Sequence, residues 1–434
     1  MRRFTTVLIA LGFAALFGAP AWAAPDIQIS QGALSGADED GTSVYKGIPF
    51  AAPPIGENRW RNPQAAPHWD GVRKADAFGP VCPQAKVSRA FGSDPLAESE
   101  DCLTANVWTP DAHGKAPVMV WIYGGAFRTG GSAAPIYDGT DLAKHGVVVV
   151  TFNYRLGWLG FLGHPALAAE AAGEPSGNYG LMDQIAALKW VQANIAAFGG
   201  DPANVTIFGE SAGGMSVNDM MASPLARGLF HKAISESGLG LNQIATRSEA
   251  EASGAALARR FHAEGDNAAV LAKLRSLTVA QLLGDQKDLS EARGTAPFID
   301  GQVLPEEPAA LFAKGEIAKA AYIAGSNSNE ATLIKAIGTT QDSMFAAFGD
   351  RLAAARAVYE KDGKLSDDDF FHEIFGDALF ASAAHALAGF NAKAGEPAYV
   401  YNFRYVATRL RGFTDGVGHG GEIPMIRFCA TCGK

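Results

Sequence analysis

Val205-Thr206-Ile207-Phe208-Gly209-Glu210-Ser211-Ala212-Gly213-Gly214 is the stretch whose reading decides the fold. An apolar β-type run leads into Gly-x-Ser-x-Gly, and Met215 to Met221 continues as a helix. A serine hydroxyl is a poor nucleophile until a sharp turn exposes it, with a base beside it and amide donors behind it. Flanking glycines let strand and helix close on such a turn where a Cβ would clash. In a chain with 50 glycines, an ordinary Gly-rich strand-to-helix turn would read the same. The assignment therefore rests on what surrounds the pentapeptide.

Upstream, Pro117-Val118-Met119-Val120-Trp121-Ile122-Tyr123 reads as a buried strand running into Gly124-Gly125-Ala126-Phe127. A tetrahedral oxyanion needs two or three N–H donors aimed at one point. One such donor follows the nucleophile and others come from a Gly-rich loop after an early strand. Here those are Ala212, with Gly125 and Ala126 as the oxyanion-hole loop. A plain turn is the alternative, since Gly130-Gly131 shows that glycine pairs are common here.

Several ordered motifs join these two. Gly47-Ile48-Pro49-Phe50-Ala51-Ala52-Pro53-Pro54-Ile55-Gly56 with Arg59-Trp60 comes first, then Glu100-Asp101-Cys102-Leu103-Thr104-Ala105-Asn106-Val107. Asn153-Tyr154-Arg155 and Gly177-Asn178-Tyr179-Gly180-Leu181-Met182-Asp183-Gln184 follow. Together they resemble the type-B carboxylesterases, which include cholinesterases and bacterial para-nitrobenzyl esterases. The matches run from about Gly32 to about Met425. The resemblance implies an α/β-hydrolase fold and ester hydrolysis. It also implies a disulfide between Cys82 and Cys102, and a place for Glu210 near the alcohol site, acting through the nucleophile's surroundings.

In this fold the triad runs in the order Ser, then Asp or Glu, then His. After the short apolar strand Ala320-Ala321-Tyr322-Ile323-Ala324 comes Gly325-Ser326-Asn327-Ser328-Asn329-Glu330. A carboxylate just past a strand end can hold an imidazole in the required tautomer, and the family places a glutamate in the matching loop. Glu330 is therefore the expected acid. Asp300, in Phe298-Ile299-Asp300-Gly301, is the competing acid, but Asp-Gly reads better as a turn. Of nine histidines, His419 alone follows both Glu330 and a strand-like run from Pro397 to Tyr405. Its surroundings, Gly418-His419-Gly420-Gly421-Glu422-Ile423-Pro424, resemble the family's histidine segment. His372 and His385 lie in helix-like stretches, and His231 follows the elbow too closely. The expected triad is Ser211, Glu330 and His419.

The chain of 434 residues is 48% hydrophobic, enough to bury a large core. Strand-like runs at Val118 to Tyr123, Val147 to Tyr154, Val205 to Phe208, Tyr322 to Ala324 and Tyr399 to Tyr405 alternate with helices. Such alternation predicts a mostly parallel sheet with ligands at the carboxyl ends of its strands. Gly180 to Phe198 is the clearest helix, with Ile185, Leu188, Val191 and Ile195 on one stripe and Gly199-Gly200 ending it. The Ala-rich stretch from Leu239 to Lys319 reads as a helical cap or side lobe. The expected organisation is a signal peptide over 1–23 and a single hydrolase domain over 24–434.

Arg2-Arg3, the apolar run Val7 to Phe17 and Ala21-Trp22-Ala23 form an export signal with an A-x-A cleavage site. The expected location is periplasmic or secreted, by the Sec route, since a full twin-Arg motif is missing. Closing a loop of about 20 residues with Cys82–Cys102 would then add roughly 3 kcal/mol on a chain-entropy argument. Cys429 and Cys432 form a lone C-x-x-C with no second pair, which reads as an incidental tail. The chain ends fifteen residues after His419, where the family continues into a closing helix. Apolar surface under that helix is expected to lie exposed.

A net charge of -9 argues against nucleic acid as a partner. With no H-E-x-x-H, P-loop or G-x-G-x-x-G after the first strand, neither metal nor cofactor is expected. The reading is an exported serine hydrolase acting on small-molecule esters through an acyl-enzyme, without a membrane anchor after signal cleavage. The competing readings are a non-catalytic binding member of the family and an inactive, shortened hydrolase.

Overall fold

A computed structural model describes residues 24–84, 97–284 and 295–428. The signal segment, Cys429 and Cys432 lie outside the described residues. The organising element is a nine-stranded sheet. Its strands are β1 (Ala37–Glu39), β2 (Thr42–Pro49), β3 (Thr104–Thr109), β4 (Ala116–Ile122) and β5 (Val148–Phe152). They continue as β6 (Gly200–Glu210), β7 (Lys232–Glu236), β8 (Ala321–Asn327) and β9 (Ala398–Phe403). Across the sheet the order is β9-β8-β7-β6-β4-β5-β3-β2-β1. The six strands from β9 to β5 are mutually parallel. The remaining pairings, β5–β3, β3–β2 and β2–β1, are antiparallel.

This is the mostly parallel sheet of the α/β-hydrolase fold that strand–helix alternation predicts. The central strands read as continuous apolar runs because helices cover both faces. Val148 to Phe152 is buried at every position.

The elements fit the expectations with adjusted edges. The first long helix, α1, spans Tyr179–Asn194 and tightens into a 3-10 turn over Ile195–Phe198. Gly199, in the left-handed region at φ 74°, ends it, whereas Gly200 already begins β6. The nucleophile-side helix, α2, is longer than Met215 to Met221, covering Ala212–Ala222. The described residues of Leu239 to Lys319 include the helices expected there, at Arg247–Arg260, Asn267–Arg275, Val279–Leu283 and Pro308–Lys314, with a two-stranded pairing of Ala245–Thr246 and Phe298–Ile299. Leu257, Leu271, Leu274 and Leu282 of this lobe form one buried cluster with Trp60, Leu162 and Tyr179.

Arg59 fastens the N-terminal segment to that lobe. It donates to the carbonyls of Leu277 at 2.6 Å and Arg275 at 3.1 Å, and pairs with Glu100. Trp60 Nε1 donates to the Trp158 carbonyl at 2.8 Å. Cys82 and Cys102 are joined by a disulfide, as the family resemblance implied. Around the outer strand β9, Tyr399, Val400, Tyr405, Leu410 and Phe413 are exposed, Phe413 at 88%. No helix among the described residues is long and apolar enough to cross a membrane.

Two of the family-like motifs meet in the interior. Arg155 grips Asp183 of α1 through Nε to Oδ2 and Nη2 to Oδ1, both at 2.8 Å, and its own amide donates to Oδ2 at 3.0 Å. Burial pushes the Asp183 carboxyl up, against the opposing pull of Arg155. Removing one member of such a buried pair strands the other charge. Asp183→Asn is expected to cost about 3–5 kcal/mol, read as a lower urea midpoint at unchanged slope.

Candidate active site

β6 runs between β4 and β7 and ends at Glu210; α2 begins at Ala212. Between them Ser211 adopts φ 58°, ψ −123°, a conformation that an L-residue takes only when its surroundings impose it. The imposition is visible in the contacts. The Ser211 amide donates to the Glu236 carbonyl at the end of β7, at 2.9 Å. A Cβ on Gly213 would lie 2.0 Å from the Ile122 carbonyl oxygen at the end of β4, and one on Gly209 2.5 Å from the same oxygen. Three strand ends and one helix start therefore converge at a spacing only glycine permits.

The Gly-rich loop after β4 meets this elbow. A Cβ on Gly124 would stand 3.1 Å from Ser211 Cβ and 2.6 Å from the Glu210 carbonyl oxygen. The next three residues, Gly125, Ala126 and Phe127, all have positive φ, at 114°, 55° and 59°. Left-handed conformations cost non-glycine residues energy and cluster where a structure has a use for them. Gly125 and Ala126 thus lie on the loop that abuts Ser211, and Ala212 follows it directly.

The acid and the base come from the far half of the chain. Glu330 lies just beyond β8 and is 2% exposed. Its Oε2 is 2.6 Å from His419 Nδ1. Its Oε1 accepts from the Ser237 hydroxyl at 2.6 Å and from the Asn327 amide at 2.7 Å. The His419 backbone donates to Thr332 Oγ1 at 2.9 Å, and its ring stands 5.3 Å from that of Phe380. The Asn329 amide donates to the Val417 carbonyl at 2.9 Å, joining the two loops directly. Ser237, Asn327 and Thr332 escaped the sequence reading. Asn327 and Thr332 flank Glu330 so closely that the loop itself was the signal, whereas nothing local marks Ser237.

His419 Nε2 has no hydrogen-bond partner, and the nearest carboxylate oxygen, Glu210 Oε1, is 3.2 Å away. The structure thus joins Glu330 to His419 and sets His419 beside the residue preceding Ser211. It contains no Ser211–His419 hydrogen bond. Such bonds are commonly open in unliganded sites and tighten when substrate arrives.

The remaining candidates fall out of the site. His231 Nδ1 accepts the Val205 amide at 3.2 Å, and His372 and His385 sit exposed on helices. Asp300 Oδ1 accepts the Gln302 and Leu304 amides, both at 2.9 Å, the turn its Asp-Gly sequence suggested.

Burial sets the electrostatics. It pushes the Glu210 carboxyl up to about 8, aided by the like charges of Glu422 and Glu330 and opposed by His419. Burial alone would lower the His419 pKa. The carboxylates of Glu210, Glu330 and Glu422 outweigh it and raise the imidazole to about 9. Glu210 and His419 lie so close that each favours the other's charged form; this contact raises His419, whereas for Glu210 burial and the neighbouring carboxylates outweigh it. The imidazole is therefore held above its ordinary value of 6.5.

A sheet of this order, with a strained serine at a strand–helix elbow and a Glu–His pair beyond later strands, defines the α/β-hydrolase class. The chain belongs to the Carboxylesterase family, whose sequence profile matches residues 23–430. It is similar to the fumonisin B1 esterase of Sphingopyxis macrogoltabida, 38% identical over 404 residues that cover 91% of this chain and 73% of that protein. It is also similar to the para-nitrobenzyl esterase of Bacillus subtilis, 44% identical over 313 residues, 70% of this chain and 62% of that one. A solved PNB esterase structure superposes with a TM-score of 0.80 at 36% identity, over 92% of this chain and 82% of its own.

The crowding has a measurable consequence. Imidazole titration by NMR should place the His419 midpoint above 6.5, and Glu210→Gln should lower it by removing one of the charges that hold the proton. A wild-type midpoint at or below 6.5 would contradict this electrostatic account.

Proposed function

We propose that this protein is an exported serine esterase that cleaves small carboxylic esters through Ser211, His419 and Glu330. One observation carries the reading: Glu330 grips His419 Nδ1 at 2.6 Å, while Nε2, the atom that must take a proton, makes no hydrogen bond and lies 3.2 Å from Oε1 of Glu210, the residue preceding the strained Ser211. The names of the relatives supply the bond class, carboxylic esters.

The reaction divides into two halves. Ser211 Oγ attacks the acyl carbon as His419 Nε2 turns from Glu210 and takes the hydroxyl proton. The carbonyl oxygen becomes an oxyanion, received by the amides of Gly125, Ala126 and Ala212. Collapse breaks the ester C–O bond, and His419 returns its proton to the departing alkoxide. Water then repeats the sequence on the acyl-enzyme and frees the acid. Glu330 keeps Nδ1 protonated and offsets the imidazolium charge throughout. Glu210 holds His419 near the leaving-group side and delays its deprotonation, so turnover should rise with pH along a limb above 6.5.

We read residues 24–434 as one hydrolase domain behind a cleaved leader. The Cys82–Cys102 bridge supports export, because such bonds persist in oxidising compartments.

A fluorophosphonate probe tests the reading: labelling should map to the peptide containing Ser211 and vanish in Ser211→Ala. Glu330→Gln should lower kcat by a factor on the order of 10⁴, as the matching change does in a serine triad. Asp300→Asn should retain turnover. Absent labelling, or an active Glu330→Gln with an inactive Asp300→Asn, sinks the assignment.

A further inference from the structure

A cavity of about 430 Å³ opens at the carboxyl end of the β8–β9 pair. Its wall includes Ser328 and Gly416, two residues before Glu330 and three before His419. Two arginines line it, Arg404 and Arg411, both exposed at its rim. The Ser328 amide donates to the Phe403 carbonyl at 3.0 Å, so Arg404 leaves β9 immediately beside the loop that carries Glu330. Arg411 is held by its Nε bond to the Val406 carbonyl at 3.1 Å and lies over the Tyr405 ring at 5.9 Å. Among the described residues neither guanidinium is paired with a carboxylate. Glu373 and Asp415 line the same cavity, also without a paired cation.

We propose that Arg404 and Arg411 receive a free carboxylate on the ester substrate, making half-esters of dicarboxylic acids a preferred substrate class. The inference rests on the esterase reading and extends it. Two unpaired guanidiniums in one cavity offer planar forks that match a carboxylate's two oxygens, which a lysine pair would not. Glu373 and Asp415 balance them in number, so the cavity offers no long-range attraction, and neither does a chain of net charge -9. Selection must come from direct contact. The wall holds none of Ser211, Gly125, Ala126 or His419, so only an acid whose chain is long enough to join the two places can use it, and a series of chain lengths tests that reach. Glu373 and Asp415 make an ammonium group the rival ligand.

The test compares para-nitrophenyl octanoate with para-nitrophenyl hemisuberate and with the omega-ammonium octanoate ester, alongside shorter and longer half-esters. In the R404A/R411A protein the ratio of kcat/KM for the best half-ester to that for its neutral counterpart should fall about tenfold or more, mainly through KM. That is the scale of one charge-assisted hydrogen bond. Removing two distant exposed cations, R73A/K74A, should leave the ratio unchanged. Suberate should bind the Ser211→Ala protein in calorimetry and lose binding when both arginines are replaced, a readout that needs no turnover. An unchanged ratio at every chain length, or an ammonium preference abolished by E373Q/D415N, overturns the carboxylate assignment. Failure to hydrolyse even the neutral ester would instead count against the esterase reading, leaving the calorimetry to decide the site.

Discussion

The backbone of Ser211 is the constraint on which the rest depends. At φ 58° and ψ −123° a serine is held against its own preference, and no local interaction would keep it there. It is kept by the ends of β4 and β7 and the start of α2, pressed together through Gly209 and Gly213 at distances that exclude any Cβ. The Gly124–Phe127 loop closes against the same turn and itself runs through positive φ. The large sheet core is therefore the support that holds one unfavourable turn in place. Cores are dense and resist deformation, so strain applied at one point is not relaxed by small shifts elsewhere.

A second theme is the concentration of acid around a single imidazole. Glu210, Glu330 and Glu422 are all buried, and His419 is the cation to which they answer. Glu330 is satisfied by the Ser237 hydroxyl and the Asn327 amide, which is what makes a buried carboxylate tolerable. Glu422 accepts the side-chain amide of the same asparagine and is pushed up, first by burial. Glu210 has an unbonded oxygen facing His419, and burial drives it toward its neutral form. Glu210 and Glu422 are thus pushed the same way by burial, although only Glu422 has a side-chain amide to accept.

How far the site could be read from sequence varied with the range of the interactions behind each residue. The elbow was legible because its requirement is local: glycine on both sides of the serine, a strand before and a helix after. Glu330 was legible as a candidate acid after a strand end, and His419 as a candidate base by its order in the chain; the structure brings the two together. Ser237 was not, since a serine in Ser235-Glu236-Ser237 looks like many others until β8 brings Glu330 against it, 93 residues later in the chain. Element edges moved for similar reasons. β6 begins at Gly200 rather than Val205 because its neighbour β4 pairs with it from Ala116 onward, and pairing is not encoded in one strand alone.

By itself the sequence determined a mostly parallel α/β sheet, through strand–helix alternation, and the turn at Ser211, through glycine placement. The hydrolase class and the order of the expected triad followed from motifs that resemble a known family. Only the tertiary structure decided that Glu330 meets His419, that His419 faces Glu210 and that Arg404 and Arg411 line one cavity. It also decided the direction in which the His419 proton is held. Such properties depend on which groups lose water together and which charges they then face, and both are set by distances between residues far apart in the chain.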